Sequence, residues 1–170
     1  MRNESLESAC IDGRLLRVEF NWLGDRFGHL ISAVHKSGEI RPLLESIEGA
    51  ATDNWPPSPP LQSLSIETFP DGRRVALLVG MAGGSHWSAS VEAVPDRAEF
   101  LFDLACRHAK QPTCLGNQYQ RLSKSRDASV ISNEGNVTES QTAITIAPRV
   151  VAAAETTRWK FTVRLLNPEP

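Results

Sequence analysis

The chain has 170 residues and a formal net charge of −2. A chain of this length fits one domain and buries enough surface to fold without a disulfide or a metal ion. It has no excess of basic residues that would neutralise phosphates, so we do not expect nucleic acid as a partner.

The N-terminal residues, the apolar segments and the cysteines bear on where in the cell the protein is expected. Residues 1–8 are polar and acidic, without the apolar stretch of a secretory signal, and no segment approaches the roughly 18 apolar residues of a membrane span. Cys10, Cys106 and Cys114 have no Cys-x-x-Cys spacing, which argues against a disulfide framework or a zinc site. We therefore expect a soluble, cytoplasmic protein without membrane contact, cofactor or metal.

The N-terminal part begins with a lead-in over 1–13, where residues 6–10 are compatible with one helical turn. Residues 14–35 then predict a strand pair, because Leu16, Val18 and Phe20 alternate with charged residues. Between 39 and 50, leucines at helical spacing after Pro42 predict one short helix.

Residues 54–60 are rich in proline and contain Trp55. Such a segment is stiff and extended and lacks backbone donors. We interpret it as a rigid crossover over one end of the fold. A proline-rich ligand for an aromatic groove is the alternative.

The centre of the chain is 61–110, which predicts a meander of four strands with short turns. Pro70-Asp71-Gly72 is the most specific local signal, and it indicates a hairpin with a bulge. Residues 73–81 are apolar on both faces, so we expect this strand to be central and covered on both sides. In the last hairpin, Trp87 should share the buried side with Phe100 and Phe102, because a one-residue slip would expose it.

The C-terminal part divides into two regions. Residues 116–141 are polar and lack a clear period, so we predict a long mobile loop. Residues 142–166 predict strands, in which Trp159, Phe161 and Val163 alternate with polar residues. Trp159 is expected in the core.

No catalytic or ligand signature stands out. His86 and His108 lie near corresponding ends of the last hairpin, and a site that also uses Cys106 would require a slipped register. Gly83-Gly84-Ser85-His86 resembles a catalytic loop, but adjacent Ser and His point to opposite faces of a strand. We therefore predict no catalytic, cofactor or metal residues.

The sequence as a whole predicts one all-β domain over 1–170, an antiparallel sandwich or flattened barrel of about eight or nine strands. We expect a non-enzymatic module that binds an unknown protein or small ligand. A hydrolase or metal enzyme using His86 and His108 is one alternative. The other is a barrel that carries an apolar ligand, with a hollow lined by Trp87, Phe100, Phe102 and Trp159.

Overall fold

The computed structural model describes residues 4–123, 127–151 and 155–166. They form thirteen strands and, within these ranges, no helix, so none long and apolar enough to cross a membrane. In chain order the strands are β1 (Glu4–Ala9), β2 (Leu15–Trp22), β3 (Phe27–Val34), β4 (Ile40–Ser46), β5 (Leu61–Thr68), β6 (Arg74–Ala82), β7 (Ser85–Val94), β8 (Glu99–Arg107), β9 (Asn117–Arg121), β10 (Ala128–Ile131), β11 (Gly135–Glu139), β12 (Ala143–Pro148) and β13 (Thr156–Leu165).

The strands form two antiparallel sheets. Sheet 1 has the order β1-β2-β3-β4-β9-β12-β11, and sheet 2 has the order β10-β13-β8-β7-β6-β5. The sheets are separate and pack face to face, which confirms the predicted all-β sandwich. The number of strands exceeds the predicted eight or nine, because several short strands escaped the sequence patterns.

The meander over 61–110 is confirmed, since β5, β6, β7 and β8 pair consecutively. The β5–β6 hairpin turns at Pro70-Asp71-Gly72, where the Phe69 N–H donates to the Arg73 carbonyl at 2.9 Å. The β6–β7 hairpin has a two-residue turn of Gly83 and Gly84, both at positive φ (54° and 79°). A two-residue hairpin turn with positive φ at both positions strongly favours glycine.

The register of the β7–β8 hairpin is also the predicted one. Val91 lies opposite Phe102, and Trp87 lies opposite Cys106. The side chains of all four are buried, while His86 is exposed on the other face. Cys106 is therefore a core residue, as expected.

The helix predicted over 39–50 is wrong, because strand β4 occupies most of this range. The pairing of β3 with β4 shifts register between Ile31 and Ser32, opposite Leu44 and Pro42. The bulge lets the consecutive residues Leu43 and Leu44 both become buried. In the sequence, the two adjacent leucines look like part of the apolar face of a helix, which explains the wrong prediction.

The single long loop predicted over 116–141 is wrong for the described residues, which contain β9, β10 and β11. These strands have only four or five residues, too few to show a period in a polar sequence. Partners from elsewhere in the chain stabilise them: β9 pairs with β4 and β12, and β10 pairs with β13. The lead-in over 1–13 likewise contains β1, without the helical turn.

The core fills the space between the sheets. Phe102 and Phe161 stack with ring centroids 4.6 Å apart, and Trp159 is fully buried. The aromatic residues considered for a hollow barrel, Trp87 and Phe100 among them, are buried in this one hydrophobic cluster. The described sheets do not close into a barrel.

The proline-rich segment 54–60 connects β4 of sheet 1 with β5 of sheet 2 at one end of the sandwich. Trp55 packs against Trp87 with ring centroids 5.8 Å apart. At Gly80 a Cβ atom would lie 1.9 Å from the Pro60 carbonyl oxygen, so the two backbones approach as closely as glycine permits.

Candidate functional site

His86 and His108 both border an open depression of about 510 Å³ at the end of the β7–β8 hairpin opposite the Pro95 turn. They do not form a pair. His86 points outward from sheet 2, whereas His108 is buried beneath the end of the sheet. The sequence correctly predicts that they lie at the same end of the hairpin, and the β7–β8 register puts them on opposite sides of the sheet.

The His108 ring is held by the protein. One ring nitrogen, Nδ1, lies 3.1 Å from the Lys110 carbonyl oxygen, and Nε2 lies 3.0 Å from the Thr157 hydroxyl. The ring also contacts Trp55, edge to face, at 6.1 Å. With both nitrogens engaged, His108 anchors the chain after β8 in place. Among the described residues, no three His, Cys, Asp or Glu side chains lie close enough to hold a metal ion.

The outer face of sheet 2 differs from the sequence expectation. Strand β6 was predicted to be covered on both sides, but Leu77, Val79 and Met81 are 43%, 55% and 51% exposed. Their alternate neighbours, Ala76 and Leu78, are buried between the sheets as expected. The covering prediction is therefore wrong for the isolated chain. We call these three residues the aliphatic row.

Small polar side chains flank the aliphatic row. Ser63 and Ser65 on β5 lie opposite Val79 and Leu77. On the other side, β7 places Ser88 opposite Val79 and also contributes Ser90 opposite Leu77. Leu77 and Val79 therefore have only serines directly opposite on both sides, which leaves them accessible, whereas Met81 lies opposite His86.

A shallow groove of about 560 Å³ crosses the outer face of sheet 2 from the aliphatic row toward β13. Its floor follows one row of cross-strand partners, in which Val79, Ser88, Ala105 and Arg158 come from β6, β7, β8 and β13. The side chains of Met81, His86 and Arg107 border it. The groove is thus apolar at β6 and cationic at β8 and β13.

On the β5 side of the groove, the Gln62 side-chain amide forms the hydrogen bonds that a neighbouring strand's backbone would otherwise form. The Gln62 amide donates to the Met81 carbonyl at 3.2 Å and accepts from the Met81 N–H at 3.1 Å. These bonds replace strand pairing where the β5–β6 register shifts between Leu61 and Ser63. Gln62 thereby fixes the backbone next to Met81 at the rim of the groove.

A buried polar cluster in and beside sheet 1 was missed by the sequence reasoning. The Arg26 side chain is buried, and its Nη2 bonds Asp25 at 2.7 Å and the Ala50 carbonyl at 3.1 Å. Burial raises the pKa of the nearby Glu48 carboxyl to about 7, although a hydrogen bond from Ser46 and the charge of Arg26 oppose the shift. In the sequence, this cluster shows only as charged residues just before β3 and just after β4, a pattern that does not predict a buried site.

This cluster reaches the core through Tyr119 and His29. His29 Nε2 lies 2.6 Å from the Tyr119 hydroxyl, and burial lowers the pKa of His29 to about 4. The neighbouring Glu48 charge adds to burial in raising the pKa of Tyr119. Both rings are buried, and neither lines the depression beside His108 or the groove on sheet 2, so we assign them to stabilising the fold.

Comparison of the sequence with models of known protein families gives no match, and comparison with curated proteins finds no significant relative. The aliphatic row and the cationic end of its groove are therefore the features on which a functional proposal can rest.

Proposed function

We propose that this chain is a non-enzymatic interaction module that binds an extended polypeptide segment of another protein on the outer face of sheet 2. The aliphatic row is the observation that carries the proposal. Strand β6 lies inside the sheet, between β5 and β7, and water-facing positions in antiparallel sheets are usually polar. Three successive outward positions of β6 are instead aliphatic and exposed.

The dimensions of the row suit a protein partner. Alternate residues of a strand are about 6.6 Å apart, so Leu77, Val79 and Met81 extend over about 13 Å. Serines flank Leu77 and Val79, and His86 lies opposite Met81, so the row is an apolar patch within a polar surround, which is typical of protein interaction sites. An apolar side chain of the partner would remove Val79, the most exposed of the three, from water.

The shape of the groove favours a polypeptide over an enclosed small ligand. Small-molecule sites usually bury most of the ligand in a deep concavity, whereas this groove is shallow and open along the sheet. The alternatives from the sequence have less support. The aromatic residues proposed to line a hollow are packed together, and both His108 ring nitrogens are already engaged.

A phage-displayed library of random linear dodecapeptides, selected on the immobilised chain, tests the proposal. We expect enriched peptides that lose binding to the Val79→Asp variant by roughly tenfold or more, because an apolar contact becomes an unpaired charge. Ile131→Asp is the matched control, since Ile131 is 50% exposed on the same face at the β10 edge. Its binding should be unchanged.

Two outcomes would overturn the proposal: no peptide enriched above an empty support, or equal loss of binding in both variants. The free energy of unfolding of each variant is measured first, and exposed positions should change it by only about 0.5 kcal/mol. Leu77→Ser gives a second, milder variant of the same surface, so the test remains valid if the aspartate variant folds poorly.

A further inference from the structure

The cationic end of the groove carries uncompensated positive charge. Arg158 lies opposite Ala105, and Arg107 lies opposite Thr156, so the two exposed arginines are diagonal neighbours on β13 and β8. His86 lies directly opposite Arg107 on β7. Like charges at neighbouring cross-strand positions destabilise a sheet. Neither arginine forms an ion pair with any described residue.

Two acidic residues on this face form ion pairs elsewhere. Asp103 pairs with Lys160 at 3.0 Å, and Glu92 pairs with Arg73 at 2.9 Å. Glu155 borders the adjacent depression but forms no described ion pair with Arg107. No described carboxylate therefore forms an ion pair at the end of the groove, and a bound partner could supply one.

The register fixes the separation between the apolar and cationic ends. Val79 and Arg158 occupy the same cross-strand row and are separated by three strand spacings. At about 4.8 Å per spacing this is about 14 Å. An extended segment lying along the row advances about 3.3 Å per residue, so about four of its residues cover the distance. Residues four apart in an extended segment also point to the same side.

We infer that the bound segment carries a carboxylate four residues from its apolar anchor, and that Arg107 and Arg158 bind this carboxylate. The inference rests on the proposed function, since it assumes that the anchor lies on the aliphatic row. An acidic side chain and a C-terminal carboxylate supply the same chemistry. Guanidinium groups bind either one through charge-assisted hydrogen bonds.

A focused library tests the spacing. We would display linear dodecapeptides with leucine fixed at the fifth position and all others randomised, and select them on the natural chain and on the Arg107→Glu, Arg158→Glu double variant. On the natural chain we expect Asp or Glu enriched about threefold or more at the position four before or four after the leucine. On the double variant, Lys or Arg should replace them at that position.

The matched control is the double variant Arg74→Glu, Arg149→Glu, which changes the net charge equally at exposed arginines outside the groove. It should keep the preference for acidic residues. Synthetic peptides that end four residues after the leucine, with free or amidated C-termini, distinguish a terminal carboxylate from a side chain. Binding only of the free form would assign the terminal carboxylate.

The outcomes separate the two proposals. Enriched peptides that depend on Val79 but show no carboxylate preference in either experiment would overturn this inference and leave the interaction module standing. A carboxylate preference at another spacing, or one that the Arg107→Glu, Arg158→Glu variant retains, would also overturn it. Absence of any enriched peptide would remove both.

Discussion

The imidazole Nε2 of His29 lies 2.6 Å from the hydroxyl oxygen of Tyr119, with both side chains buried. Burial lowers the pKa of His29 to about 4 and raises that of Tyr119, so both are neutral at pH 7. Tyr119→Phe should reduce the free energy of unfolding by about 1–3 kcal/mol, because it leaves a buried ring nitrogen without a partner. Urea denaturation at pH 7 measures this. A loss below about 0.5 kcal/mol would contradict it.

The Glu48 carboxyl should make stability depend on pH. Burial raises its pKa from an ordinary value of 4.5 to about 7 in the folded chain, so the folded state binds the proton more tightly than the unfolded state. The stabilisation is therefore fully present below pH 4.5 and is lost as the pH rises to about 7. Glu48→Gln should raise the free energy of unfolding by about 1–3 kcal/mol at high pH and change it little at low pH.

Urea denaturation of Glu48→Gln at about pH 5 and about pH 8.5 tests this expectation. Glu45→Gln, at an exposed position on β4, is the control and should have no effect at either pH. Equal stabilisation by Glu48→Gln at the two pH values would show that the carboxyl does not titrate between them.

Trp159 joins the two sheets through its indole N–H, which donates to the Asn117 side-chain oxygen at 2.9 Å. Trp159→Ala should cost about 3–5 kcal/mol, the usual loss for a buried large aromatic. Trp159→Phe keeps most of the apolar surface but leaves Asn117 unpaired, at a cost of about 1–3 kcal/mol. The half-exposed Trp22 is the comparison, and Trp22→Ala should cost less than either. A larger loss of free energy of unfolding for Trp22→Ala than for the Trp159 variants would contradict this prediction.

Residue 80 has to be glycine because the β6 backbone lies very close to the Pro60 carbonyl there. A methyl group at residue 80 would lie 1.9 Å from the Pro60 carbonyl oxygen, so the crossover would have to move away from β6. Gly80→Ala should lower the free energy of unfolding by about 3 kcal/mol, at the upper end of the usual cost of overpacking. Ser88→Ala, on the adjacent strand, serves as the control. Thermal unfolding of the two variants at equal melting temperatures would refute the contact.

The three cysteines should differ in reactivity. Cys106 is buried, and burial raises the pKa of its thiol to about 12, whereas Cys10 and Cys114 are only half-buried. A thiol-specific chromogenic reagent should modify the latter two in the folded chain and reach Cys106 only after unfolding. Because the thiolate is the reactive form, both effects protect Cys106. Rapid modification of all three in native buffer would argue against the β7–β8 register.

The sequence predicts the elements whose pattern is local. The meander and the burial of Trp87 follow from alternation over eight or more residues and from glycine and proline turns. Strands β9, β10 and β11 do not follow, because their stability comes from partners distant in the chain. The helix predicted over 39–50 is wrong for a different reason: the bulge in β4 buries consecutive leucines, whose spacing in the sequence resembles a helix.

The candidate site was only partly predictable. Residues 73–81 already show apolar residues at alternating positions on both faces, which correctly places β6 inside a sheet. Nothing in the same residues tells whether the second face is covered by this chain or by another. Arg107 and Arg158 become diagonal neighbours only through the β8–β13 register, which joins residues about fifty positions apart in the sequence.

The final strand has a consequence for dissecting the chain. β13 lies between β8 and β10, so residues 156–165 complete a sheet begun before residue 110. The preceding strands β9, β11 and β12 belong to the opposite sheet. A cut in the link near residue 111 would therefore divide both sheets between the two pieces and break one strand pairing in each sheet, β4 with β9 and β8 with β13. Produced separately, they should remain unstructured, and mixing them should restore the sandwich by fragment complementation.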